Sequence, residues 1–107
     1  MNDKRTFERK RKRLIIEIHV DGRTASGFTC DVSHTGLFVS SGYVPKLGEK
    51  LRTTLHLPGE KRVGIEGTVV RIHRVPQALA GVEGNSGFSL ALGGYFEEYA
   101  RYVAALT

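Results

Sequence analysis

Residues 14–20, Leu-Ile-Ile-Glu-Ile-His-Val, alternate along their length: Leu14, Ile16, Ile18 and Val20 fall on one face, Glu17 and His19 on the other. A period of two makes this a strand with one face toward a core, because a helix would scatter those apolar side chains around its axis. Asp21-Gly22 follows at once, a two-residue connection that tolerates the positive φ of a tight hairpin. The same grammar continues. A second strand is expected from residue 23 to about 31, and Leu37-Phe38-Val39 reads as a short buried strand after a polar turn. Past a turn at 45–48, Leu51, Thr53, Leu55 and Leu57 alternate until Pro58-Gly59 stops them. Residues 63–75 form a long β-rich stretch in which Gly67 marks a bulge or tight bend. A loop at 76–87 leads to a last strand at 88–92. Then the period changes: Phe96, Tyr99, Val103 and Leu106 recur at helical spacing, and Glu97 and Glu98 sit where a helix dipole favours acids. Six short strands with glycine-rich turns imply a closed or nearly closed barrel, with the helix over one opening or edge.

At 107 residues the chain holds one domain with one core. No apolar run is long enough for a membrane span, and the basic start leads into a strand rather than a signal sequence. A lone Cys30 fits a reducing compartment. The expected location is cytoplasmic. The net charge of +5 is unevenly placed: residues 1–13 carry seven basic side chains against Asp3 and Glu8, and the rest of the chain is balanced at nine of each sign. The picture is a basic arm on a neutral body, which argues against the broad basic face of a nucleic-acid module.

Two features carry chemistry. In the arm, Arg5-Thr-Phe-Glu-Arg9 spaces two guanidiniums four residues apart. Between two strands, Asp31-Val-Ser33-His-Thr-Gly36 forms a polar turn, and one hairpin separates it from the arm. In this combination and order the chain resembles the PilZ family. Its members carry an Arg-x-x-x-Arg arm, a hairpin, and an [Asp/Asn]-x-Ser-x-x-Gly turn followed by an apolar strand, here Leu37-Phe38-Val39. The resemblance spans nearly the whole chain. It implies an all-β, mainly antiparallel fold: a six-stranded PilZ-type β-barrel over 14–107, with a flexible basic N-terminal arm at 1–13 and a C-terminal α-helix at 95–106. It also implies a cyclic di-GMP receptor and adaptor, in which the ligand orders the arm against the barrel and changes the surface a protein partner meets.

The residues suit that ligand. Guanine offers N7 and O6 side by side, which a planar guanidinium matches bidentately, and the same cations pair with phosphates. Asp31 can accept from guanine N1–H and N2–H, Ser33 can donate or accept at the base, and Gly36 permits a positive φ and close backbone approach. By resemblance, Arg5 and Arg9 hold phosphates and guanine edges, while Asp31, Ser33 and Gly36 cradle a base. Lys4, Lys10, Arg13 and Arg71 are further candidates. Arg9-Lys-Arg-Lys-Arg13 also matches the arm spacing; Arg5/Arg9 is the preferred register because Arg13 abuts the first strand. Lys4 before Arg5 leaves open whether one ligand or a stacked pair binds. Arg71 shares a face with Val69 by strict alternation unless a bulge intervenes; its alternative role is a solvent-facing strand arginine.

Each feature also has a plainer reading: a solvated basic tail for the arm, an Asx or Ser/Thr turn for Asp31 and Ser33. His19, His34, His56 and His73 are scattered without ligand spacing, so no metal is expected, nor any cofactor or catalytic residue. Two competing functions stay on the table, a nucleic-acid-binding barrel with a basic arm and a PilZ-like scaffold without ligand. The first needs more exposed strand aromatics than Phe28, Phe38 and Phe88 offer; the intact Asp31 turn speaks against the second. A monomer or weak dimer is expected.

Overall fold

The computed structural model describes residues 9–74 and 86–106. Its strands are β1 (Lys10–Arg11), β2 (Ile15–Val20), β3 (Arg23–Val32), β4 (Gly36–Ser41), β5 (Lys50–Leu57), β6 (Lys61–His73) and β7 (Gly87–Leu92), followed by helix α1 (Glu97–Ala105). All pairings are antiparallel. The neighbours run β3-β2-β5-β6-β7-β4, and β4 returns to β3, closing a six-stranded barrel. The short β1 continues the line of β2 along the end of β3.

The alternation read from the sequence is what fills the interior. Ile16 and Ile18 of β2, Leu51 and Leu55 of β5, and Leu37 and Val39 of β4 are all buried in one cluster with residues of β6 and β7. Thr53, the polar member of the β5 inward face, is also buried and donates its hydroxyl to the Ile65 carbonyl at 3.0 Å. The first hairpin turns through Asp21 (φ 49°) and Gly22 (φ 74°), with Val20 paired to Arg23. Positive φ at both central residues gives a turn whose twist matches that of the strands.

Helix α1 covers one end of the barrel. Nine residues are too few to be stable alone in water, so the helix depends on docking. Tyr99 and Val103 enter the core, and Lys61 at the start of β6 pairs with Glu98 at 3.9 Å. The helix is shorter than the expected 95–106. Phe96 has extended backbone at the N-cap, and Leu106 leaves the helix with its N–H bonded to the Val103 carbonyl.

One expectation needs correcting. The β6 irregularity lies at Val70, where the pairing with β7 skips from Val69↔Leu90 to Arg71↔Ser89; Gly67 pairs regularly with Leu92. The slip falls where β6 loses its other neighbour: Val69 still exchanges hydrogen bonds with Gly48 and Glu49 just ahead of β5, and beyond it β6 has β7 alone. Gly67 answers a different need. A Cβ there would lie 2.4 Å from the Ala91 carbonyl oxygen and 2.8 Å from Leu90 Cγ.

Gly67→Ala should therefore lower stability by about 1–3 kcal/mol through overpacking. Gly64→Ala, whose Cβ would meet only the Thr53 carbonyl at 3.9 Å, should be nearly silent. Urea midpoints of the two variants check this; equal midpoints would contradict it.

Candidate functional site

The end of the arm is fixed to the barrel by one threonine. Thr29 is buried (1% exposed) on β3. Its hydroxyl donates to the Lys12 carbonyl at 2.8 Å and accepts from the Leu14 N–H at 2.9 Å, while its own N–H donates to the Leu14 carbonyl at 2.8 Å. These bonds carry the chain from β2 into β1, where Lys10 faces Val32 and Arg11 faces Asp31. Arg9 then lies beside Asp31, and its Nη1 donates to Asp31 Oδ1. Both side chains stay partly in water, 48% and 28% exposed.

Asp31 faces outward because β3 has one residue too many. The β3–β4 register skips Cys30, from Thr29↔Val39 to Asp31↔Phe38. With strict alternation the buried Thr29 would put Asp31 inside and Val32 outside. The extra residue reverses this: Val32 is fully buried and Asp31 is turned to the surface. The bulge at Val70 does the same for Arg71, which is exposed although Val69 is buried. The two outward residues then share one row across the sheet, Arg11–Asp31–Phe38–Ser89–Arg71, on β1, β3, β4, β7 and β6. From Asp31 to Arg71 is three strand spacings, roughly 14 Å.

Phe38 lies between them and was not among the expected site residues. It is the outward member of Leu37-Phe38-Val39 and only half-buried. Its ring lies over Gly87, where a Cβ would be 2.9 Å from two ring carbons, and meets His73 edge-on with centroids 6.3 Å apart. Alternation alone could have found it, since Leu37 and Val39 face inward.

The 33–36 turn is held from inside. The Ser33 N–H donates to the Gly36 carbonyl at 2.9 Å, its hydroxyl donates to the same oxygen at 3.2 Å, and that hydroxyl accepts from the Thr35 N–H at 3.3 Å. Ser33 is 2% exposed, so its hydroxyl shapes the turn instead of pointing at solvent. Gly36 does not use the positive φ that glycine permits. It must be glycine because it is packed against β7: a Cβ would stand 2.4 Å from the Leu90 carbonyl oxygen. Beneath the turn, the buried Tyr99 hydroxyl donates to the carbonyls of Ser33 at 2.7 Å and Gly36 at 3.2 Å. Burial raises the Tyr99 pKa well above the ordinary phenol range, so the hydroxyl stays a donor.

Of the other expected residues, Arg13 has its guanidinium 4.1 Å from the Phe28 ring centroid. Lys10 sits in β1 opposite Val32. Arg5 and Lys4 lie outside the described residues. Cys30 is half-buried, and burial, then the Asp31 charge, raises its thiol pKa. No helix among the described residues is long and apolar enough to cross a membrane.

The family model of the PilZ domain matches residues 3–90. Among solved structures, the inhibitor of motility MotI/DgrA of Bacillus subtilis superposes with a TM-score of 0.72 at 20% identity. The match covers 92% of this chain and 46% of that one, so the chain spans less than half of its neighbour, and at this identity the likeness is one of fold. No curated protein sequence matches.

Thr29→Val keeps shape and removes both hydroxyl bonds at the arm junction. It should lower stability by about 1–3 kcal/mol and speed amide exchange at Lys12 and Leu14 relative to the barrel strands. Unchanged exchange at those two amides would show that the junction does not depend on Thr29.

Proposed function

The chain belongs to the PilZ domain family of cyclic di-GMP receptor and adaptor domains, and on that premise we propose that it binds cyclic di-GMP where Arg9 meets Asp31. That ion pair, at the junction of arm and turn, is the observation that carries the proposal. Each partner is complementary to a different part of the ligand. The guanidinium suits a phosphate or the N7/O6 edge of guanine, and the carboxylate suits the N1–H and N2–H donors. In the free protein the two satisfy each other. A partly exposed pair of this kind is worth at most about 1 kcal/mol, so the ligand can separate them at little cost.

Arg5 supplies the second guanidinium of the arm. Gly36 and Ser33 define the wall of the base site by holding the turn. Phe38 offers a stacking face one strand from Asp31, and Arg71 closes the row. Lys4, Lys10 and Arg13 add positive potential, and Lys4 bears on whether a second ligand stacks on the first. The arm from Arg9 outward is then ordered by the phosphates, which neutralise its mutual repulsion. The residues beyond it are already tied to β3 through Thr29. The role is one of binding and relay to a protein partner, with no catalytic step, cofactor or nucleic-acid ligand.

Isothermal titration tests the reading. Cyclic di-GMP should bind more tightly than cyclic di-AMP, whose adenine lacks the N1–H and N2–H donors for Asp31 and turns an amino group toward the arginines. Arg9→Ala, Asp31→Ala and Arg5→Ala should each weaken binding by about 1.5–3 kcal/mol, the worth of a charge-assisted hydrogen bond. Arg13→Ala should do less, and raising the salt concentration should weaken binding throughout. Equal affinity for the two cyclic dinucleotides would sink the assignment; loss of binding in Arg13→Ala with Arg5→Ala silent would move the arm register to Arg9/Arg13.

A further inference from the structure

Resting on the cyclic di-GMP reading above, we propose that Tyr99 is a positioning residue for the ligand site. Its hydroxyl sets the main chain of the 33–36 turn and thereby makes helix α1 the element that responds when ligand binds.

The hydroxyl has a task separate from that of the ring. Tyr99 is 1% exposed and packs in the barrel core, where a phenylalanine would fill the same space. Burying a hydroxyl is unfavourable unless it is bonded. Here it is bonded to the Ser33 and Gly36 carbonyls, the two ends of the turn. It therefore ties a long-range element, 66 and 63 residues away in the chain, to one short loop. Ser33 follows Asp31 by two residues, and the Val32 between them is locked in the core. A shift of Asp31 toward a ligand is thus passed to the Ser33 carbonyl, with little slack to absorb it. The charges of Arg9 and Asp31 both lie close enough to bear on the Tyr99 hydroxyl. On its outer side α1 presents Glu97, Glu98 and Arg101 to solvent, where Glu97 pairs with Arg101 and Glu98 with Lys61. Coupling of this kind is reciprocal: if ligand steadies α1, then loosening the Tyr99 bond must weaken ligand.

Three proteins separate this from a general loss of stability: wild type, Tyr99→Phe and Ile18→Val. Ile18 is fully buried on β2, where it pairs with Ala25 and Thr53, and its shortening removes a methyl group from the core while leaving the helix and the turn unaltered in sequence. Tyr99→Phe should bind cyclic di-GMP roughly three- to tenfold more weakly, the worth of one hydrogen bond. Ile18→Val should melt at lower temperature yet bind within about twofold of wild type, as expected of a site that shares no bond with the turn. In wild type, saturating ligand should slow amide exchange across 97–105, and Tyr99→Phe should lose that response. Tyr99→Phe with wild-type affinity and an intact helix response overturns the inference. So does Ile18→Val weakening binding as much as Tyr99→Phe, which would reduce the effect of Tyr99→Phe to a general loss of stability. A wild-type protein that binds no cyclic di-GMP removes the ligand reading and this inference with it; one that binds, with either of the preceding outcomes, removes this inference alone.

Discussion

A barrel strand has two faces, and inserting a single residue exchanges them. β3 and β6 each carry one such insertion, at Cys30 and Val70. The outward direction of Asp31 and of Arg71 depends on those two bulges. Were either strand paired with strict alternation over the same residues, a charged side chain would turn into the core, where an unpaired charge is not tolerated. The insertions therefore impose a local cost in hydrogen bonding, offset by Val32 reaching the interior. They also set the geometry of the proposed site, because Asp31 and Arg71 end in the same cross-strand row with Phe38 between them.

Around this row two contacts of very different strength meet. Arg9 and Asp31 pair at the surface, where solvent screens them and the bond is readily exchanged. Tyr99 bonds the turn from within, where the low local dielectric makes an unpaired group expensive and the geometry persistent. A receptor needs both kinds. On the proposed reading, the exchangeable pair admits the ligand, and the persistent one gives a change at the ligand a fixed lever to act on.

Charge follows the same division. The net excess lies wholly in residues 1–13, while the barrel is balanced. Thr29 marks the boundary: residues after it in the hydrogen-bond ladder belong to the barrel wall, and Arg9 is held at its margin by Asp31. Arg13 rests on Phe28, and its spacing from Arg9 satisfies the arm pattern as well as Arg5 does.

Much of this was legible in the chain itself. The alternation in Leu14–Val20 and in Leu51–Leu57, the Asp21-Gly22 turn and the helical spacing of Tyr99 and Val103 are local signals, and each formed the element its period implies, because burial of one face rewards that period alone. The motif residues Asp31, Ser33 and Gly36 were also visible. What each does was not. Ser33 and Gly36 turn inward, to the turn's own hydrogen bonds and to the backbone of β7, and no local pattern announces a neighbour more than fifty residues away. Thr29 looks like any strand threonine until Lys12 and Leu14 are laid beside it. The bulges belong to the same class: Gly67 was the natural suspect by residue type, but the slip came at Val70, where β6 runs past the end of β5. Periodicity is a property of one strand, so the sequence alone settled which face of each strand is apolar. Register is a property of two strands, and only their pairing in the closed barrel decided which polar residues would stand together.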